Sequence, residues 1–170
     1  MIHLSALSCS FPKYKVYQEE IKKLGEKIFS KKINFEKIKS VYDNSGVKTR
    51  YLVEDLSWYT REHNWSERNL LFKKEAILLL KKCINETFEK THLNPEDIGA
   101  LIVVNSTGIS TPTLDAEILN FFNFRNDIIR LPIFGYGCAG GVLGLNRAVE
   151  IFKNIRQPIL VCNVELCSLT

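Results

Sequence analysis

Five consecutive apolar residues, Ala100-Leu101-Ile102-Val103-Val104, three of them β-branched, interrupt an otherwise mixed chain. A run this short cannot cross a bilayer, and a run this uniformly apolar cannot face water on one side. It predicts a strand covered on both faces, the kind found in parallel sheets flanked by helices. The segments around it fit that expectation. Residues 2–8 alternate apolar with small or polar side chains and read as a strand that ends at Ser10-Phe11-Pro12. Within 18–42, Ile21, Leu24 and Ile28 and then Phe35, Ile38 and Tyr42 mark two short amphipathic helices, the second stopped by Asn44-Ser45-Gly46. Residues 47–65 read as extended or irregular. Ser66 is a suitable N-cap for a long helix whose apolar line runs through Ile77, Leu80, Ile84 and Phe88, with Lys73, Lys74, Lys81 and Lys82 off it.

After a turn at Asn94-Pro95-Glu96-Asp97 and the apolar run itself, Thr111-Pro112 and Asp115 open another helix reaching Leu119 and Phe122. Residues 128–134 are extended. The segment Gly135-Tyr136-Gly137-Cys138-Ala139-Gly140-Gly141 leads into a helix with Val142, Leu145, Val149 and Phe152 on one face, and Ile159 to Val164 forms the last strand. Strands alternating with helices predict an α/β fold, a mainly parallel sheet with helices on both faces. At 170 residues the chain suits one domain.

Charge and cysteine usage narrow the function classes. Residues 1–90 carry 18 basic and 12 acidic side chains and residues 91–170 carry 5 and 7, so the net charge of +4 arises in the first half. The lysines read as solvated helix faces, and no basic stretch is interleaved with aromatics in a nucleic-acid-binding pattern. The N-terminus lacks the charge and apolar length of a signal peptide, and no stretch approaches the ~20 apolar residues of a membrane span. A cytoplasmic protein with no nucleic-acid and no membrane partner is expected. Cys9, Cys83, Cys138, Cys162 and Cys167 are odd in number and lack zinc-ligand spacing, so reduced thiols are expected. The glycosylation patterns at Asn64, Asn85 and Asn105 carry no weight in such a compartment. His3, His63 and His92 lie in unrelated segments and receive no catalytic role.

The glycine-rich segment carries the chemistry. Backbone without side chains surrounds a cysteine at a strand–helix junction, where a ligand can approach closely. A thiol at a helix N-terminus faces the partial positive charge of unpaired N–H groups, which stabilises the thiolate. Cys138 is therefore a candidate nucleophile, although a small buried cysteine with glycines serving close helix packing explains the same residues. Gly135-x-Gly137-x-x-Gly140 also satisfies the dinucleotide-binding fingerprint, with Glu165 at the end of the next strand. Against this, several elements precede the pattern, and Glu165 lies beyond the usual spacing of about 20 residues.

From about Tyr42 onward the chain resembles the type III polyketide synthases, the chalcone and stilbene synthase family. Val47-Lys48-Thr49-Arg50-Tyr51 is similar to the family's basic segment near the coenzyme A entrance, and Ser106-Thr107-Gly108 with Pro112 to its first cavity loop. Phe134 through Gly141 resembles the nucleophile loop, and Val164 through Thr170 the strand end that follows. The loop reads Cys-Ala-Gly-Gly, one residue shorter than the plant form and closer to bacterial members, so plant-like substrate choice does not carry over.

The resemblance implies a thiolase-like fold in which Cys138 carries the acyl group. It implies that Ser106 and Thr107 line the substrate cavity, that Thr111 reaches toward a partner subunit, and that Lys48 and Arg50 attract coenzyme A phosphates. It further implies acyl-CoA and malonyl-CoA as substrates with no cofactor. Family members are about twice as long and place a histidine and an asparagine in their second half. Residues 1–170 are accordingly expected to be the N-terminal domain, with the C-terminal half absent and either a homodimer or a separately encoded C-terminal half as partner. The alternative, a non-catalytic or dinucleotide-binding α/β module, stays open at the level of sequence.

Overall fold

The computed structural model of the protein describes residues 2–30 and 34–170, so 31–33, inside the expected helical stretch 18–42, lie outside the described residues. The chain forms two compact units, one of residues 11–65 and the other of residues 1–10 and 66–170.

In the smaller unit, β1 (Tyr14–Tyr17) pairs antiparallel with β2 (Thr49–Leu52), and α1 (Gln18–Phe29), α2 (Phe35–Ile38) and α3 (Ser40–Asn44) lie between them in sequence. Val16 and Leu52 are buried and anchor the inner face of this strand pair. Helix α1 buries Gln18 and Gly25 and half-buries Ile21, Leu24 and Ile28, the face its spacing predicts. The second expected helix is present as two short pieces, α2 and α3. Gln18 ties the unit together: its Nε2 donates to the Tyr42 carbonyl (3.1 Å) and to Ser45 Oγ (3.2 Å), and its Oε1 accepts from Arg50 Nε (2.9 Å).

In the larger unit, the N-terminal residues 2–8 form no strand, contrary to their alternating pattern. Alternation marks any extended segment, and here hydrogen bonds to a helix replace a ladder. Lys90 Nζ donates to the Leu7 carbonyl (2.9 Å) and Ser10 Oγ to the Leu79 carbonyl (2.9 Å), both from or to helix α4 (Trp65–Thr91). That helix starts at Trp65, so Ser66 lies within it rather than capping it. It buries Phe72, Ala76, Leu80 and Ile84, a line of four-residue steps that continues the expected one toward the N-terminus.

The sheet of this unit has the order β4-β3-β5, all parallel, built from β3 (Ala100–Asn105), β4 (Ile129–Phe134) and β5 (Ile159–Asn163). The apolar run is the central strand, as burial on both faces requires, and every residue from Ala100 to Val104 is at most 2% exposed. Pro132 lies in β4, an edge strand, where a missing N–H costs no ladder bond. Between the strands run α5 (Leu114–Leu119) and α6 (Gly140–Ile155).

Helix α6 covers the face of Ile102, Val104 and Ile133 through Leu143, Ala148 and Ile151, with Gly140 and Gly144 buried beneath it. The four apolar residues expected on one face are therefore split: Val142 and Leu145 are exposed, and Val149 and Phe152 are half-buried. Counting apolar side chains passes over glycine, yet Gly140 and Gly144 mark the side that meets the sheet, and Leu143, Ala148 and Ile151 follow from them. The opposite face, with Leu101 and Val103, carries α5 and the neighbourhood of Cys83 on α4.

Cys162 on β5 illustrates how dry that face is. Burial, aided by nearby Cys83, pushes its thiol from an ordinary 9.0 up to about 12. Below pH 9 the thiol is protonated in folded and unfolded chains alike. Above it the unfolded chain releases the proton and the folded chain keeps it until about pH 12, so folding stability falls across that window. The fall attributable to this group is up to about 1.4 kcal/mol per pH unit. Chemical denaturation at pH 9, 10 and 11 is expected to show it, and Cys162→Ala to flatten it.

A second buried polar group sits in the first turn of α5. Asp115 is 1% exposed, its carboxylate oxygens accept no hydrogen bond from the described residues, and Arg130 Nη1 on β4 lies 3.5 Å away. Removing that guanidinium leaves the buried charge without its counterion, a loss discounted because Arg130 is half-exposed. Arg130→Met is expected to cost about 1–3 kcal/mol. Adding Asp115→Asn should recover most of it, read as the urea midpoint of each variant.

Candidate active site

The C-terminal ends of the three parallel strands lie on one rim, and the loop after the central strand is bonded to the loops after the other two. Beyond β4, Gly135 and Gly137 take positive φ values of 83° and 52°, and residues Gly137–Ala139 make a single 3-10 turn before α6. The positive φ at Gly137 places the residue immediately before Cys138 in a backbone conformation that side chains disfavour. Cys138 is exposed on this turn, flanked by the exposed rings of Phe134 and Tyr136.

The loop after β3 fixes this turn. The Gly135 N–H donates to the Asn105 carbonyl (3.2 Å) and the Gly137 N–H to Ser106 Oγ (2.9 Å). The adjacent hydroxyl, Thr107 Oγ, accepts from the Leu166 N–H (3.0 Å) in the segment after β5, and the Val164 N–H reaches the Val104 carbonyl (3.0 Å). Two neighbouring residues at the end of the central strand thus hold the loops on either side of it. Asn105 Nδ2 closes its own loop on the Gly108 carbonyl (2.6 Å). Asn69 on α4 exchanges two bonds with the Ile109 backbone, at 2.9 and 2.8 Å.

Cys138, Ser106 and Thr107 therefore share one hydrogen-bonded rim, and Thr111 follows, exposed, at a cis Thr111–Pro112 peptide in the same β3–α5 connection. Lys48 and Arg50 are exposed residues of the other unit, where the Arg50 Nε is engaged by Gln18. Asn69 and Asn105 do not stand out in the sequence as site residues. An asparagine directly after an apolar strand is a turn signal that points to Asn105, whereas nothing local points to Asn69.

The glycine pattern does not build a dinucleotide site here. Its strand β4 is an edge, and the strand carrying the candidate ribose-binding Glu165 is separated from it by β3. Among the described residues no cluster of histidine, cysteine and carboxylate groups could hold a metal, and no helix is long and apolar enough to cross a membrane.

Comparison with known proteins agrees with this geometry. The "Putative chalcone synthase" of Bacillus subtilis is 31% identical over 177 aligned residues, covering all of this chain and 48% of that protein. The "1,3,6,8-tetrahydroxynaphthalene synthase" of Streptomyces peucetius is 28% identical over 78% of this chain and 36% of its own length. The crystal structure of the Streptomyces coelicolor enzyme of that name, described as a bacterial type III polyketide synthase, superposes with a TM-score of 0.87 at 26% identity, over 96% of this chain and 49% of that one. The chain spans about half the length or less of these relatives, and its α/β fold is the thiolase-like one. Residues 6–170 match the FAE1/Type III polyketide synthase-like proteins, and the chain belongs to that family.

Proposed function

We propose that residues 1–170 are the nucleophile-bearing N-terminal domain of a condensing acyltransferase of the type III polyketide synthase kind. The observation that carries this reading is the exposure of Cys138 on a turn held by Ser106, at the head of α6. The Cys138 thiolate attacks the carbonyl of an acyl-CoA thioester. A carbon–sulfur bond forms at Cys138, the bond to the coenzyme A sulfur breaks, and coenzyme A leaves as a thiolate that takes up a proton. Malonyl-CoA then loses carbon dioxide, its enolate carbon attacks the bound acyl carbonyl, and Cys138 is released as thiolate. Ser106 and Thr107 line the acyl cavity, Lys48 and Arg50 attract the coenzyme A phosphates, and no cofactor is consumed.

The donors that stabilise the enolate and oxyanion usually contribute most to the rate of such chemistry, and in this reading they come from the second half of the fold, outside residues 1–170. Thr111 reaches toward a partner subunit. The five unpaired thiols suit a reducing cytoplasm. Intact-mass spectrometry of the chain incubated with a panel of acyl-CoA thioesters tests the first step. An acyl adduct is the expected result, and its absence from a folded chain would sink the reading.

A further inference from the structure

We infer that Ser106 is a positioning residue for Cys138, a role that rests on the acyl-transfer reading above. Ser106 belongs to the loop after the central strand, 31 residues before Gly137, and its Oγ accepts the Gly137 N–H at 2.9 Å. That amide is the last one before Cys138, in a residue with a φ of 52°. The positive φ turns the chain sharply, and the hydroxyl is the side-chain anchor of that turn to the strand end. Within the turn the backbone closes on itself, the Ala139 N–H donating to the Tyr136 carbonyl at 3.3 Å and the Gly140 N–H to the Gly137 carbonyl.

The exposure pattern gives this bond its weight beside that of the Gly135 amide to the Asn105 carbonyl. Residues 134–139 are all exposed, so no packed side chain holds the turn in place from within the unit. Ser106 is half-buried and its neighbours Val104 and Gly108 are buried, so the anchor is set in packed surroundings and the turn is not. Thr107, on the other side, holds the Leu166 amide at 3.0 Å. One two-residue segment therefore registers the nucleophile turn against the loop beyond β5. A cavity-lining role alone requires only that the Ser106 side chain be small and polar. The bond to Gly137 requires an oxygen acceptor at Cβ, which alanine lacks and threonine supplies.

The chain is compared as wild type, Ser106→Ala and Ser106→Thr, by residue-resolved amide exchange and by the rate of acyl adduct formation on Cys138 against acyl-CoA concentration. Exchange of the Gly137 amide is expected to speed up about tenfold in Ser106→Ala, with amides in β3 unchanged. The saturating acylation rate should fall about tenfold, as displacement of a nucleophile predicts, while the half-saturating concentration stays within about twofold. Ser106→Thr should restore both rate and protection. A merely structural role would lower the melting temperature without changing the saturating rate of the folded chain. The inference is overturned if the Gly137 amide of the wild-type chain exchanges as fast as an unprotected one, a result available even if the alanine variant does not fold. It is also overturned if Ser106→Ala acylates within about twofold of wild type, or if threonine fails to rescue. Failure of the wild-type chain to acylate while Gly137 is protected by Ser106 would reject the proposed function and the positioning role, leaving a structural tie.

Discussion

Cys138→Ala is expected to eliminate the acyl adduct altogether, with none of the other four thiols taking its place. The reason is in the distribution of the cysteines. Cys162 is buried, with its thiol pushed up to about 12, so at pH 8 fewer than about one molecule in a thousand would present a thiolate there even if acyl-CoA could reach it. Cys83 is half-buried and donates to Ser10 Oγ at 3.1 Å. Cys9 and Cys167 are exposed, but neither stands at the head of a helix of several turns, whereas Cys138 precedes the 16 residues of α6. Cys138→Ser keeps the geometry and replaces sulfur by a far weaker nucleophile, so a loss of at least about a hundredfold in adduct formation is expected. Peptide mapping after incubation with acyl-CoA locates the adduct, and acyl groups persisting on Cys167 in the alanine variant would move the nucleophile to the rim beyond β5.

The largest loss of stability is expected at Phe72. Its ring is fully buried on α4, and the backbone of Gly108 lies directly on it. A Cβ at residue 108 would lie 2.0 Å from a ring carbon of Phe72, and that buried ring cannot give way without displacing the core around it. Phe72→Ala is expected to cost about 3–5 kcal/mol through lost burial and the cavity left behind. Gly108→Ala should cost about 1–3 kcal/mol through overpacking. The two effects share one contact, so they are not additive. The double variant places the new methyl in the space the ring vacated and should be more stable than the sum predicts by about 1 kcal/mol or more. Urea denaturation of the four chains measures this coupling, and strict additivity would show that Gly108 and Phe72 do not meet in the way the structure shows.

The contact also explains why the loop of Ser106 is positioned from below as well as from the side. Gly108 rests on Phe72, Ile109 is bonded to Asn69, and both partners belong to the first turns of α4. None of this is legible in sequence, because it joins residues some 40 positions apart. What can be read is whatever leaves a local trace. The unbroken apolar run of β3 predicts a central strand, and the structure has one there. The glycines around Cys138 predict a strand–turn–helix junction, which the structure contains. Strand β1 leaves little trace because it is only four residues long and runs directly into the amphipathic pattern of α1. The expected N-terminal strand is absent, since extended backbone can be satisfied by a helix's lysine and carbonyl as well as by a ladder. The contact face of α6 is hidden from a count of apolar side chains because its close approach is made by glycines. The family resemblance points to Ser106 and Thr107, but their bonds to amides 31 and 59 residues away follow from the meeting of three strand ends and from no pattern within any one of them.

The strand order β4-β3-β5 has a consequence for how the chain must be made. The central strand is synthesised first of the three, yet both of its ladder partners come later: β4 begins at Ile129 and β5 at Ile159. At about 5–20 residues per second, a ribosome needs roughly 3–12 s to pass from the end of β3 to the completion of β5. For that interval the most apolar segment of the protein has emerged with one edge or both unpaired, a template for pairing with any neighbouring nascent strand. Slowing translation between residues 106 and 158 is therefore expected to lower the soluble yield, while the same slowing before residue 100 would have little effect.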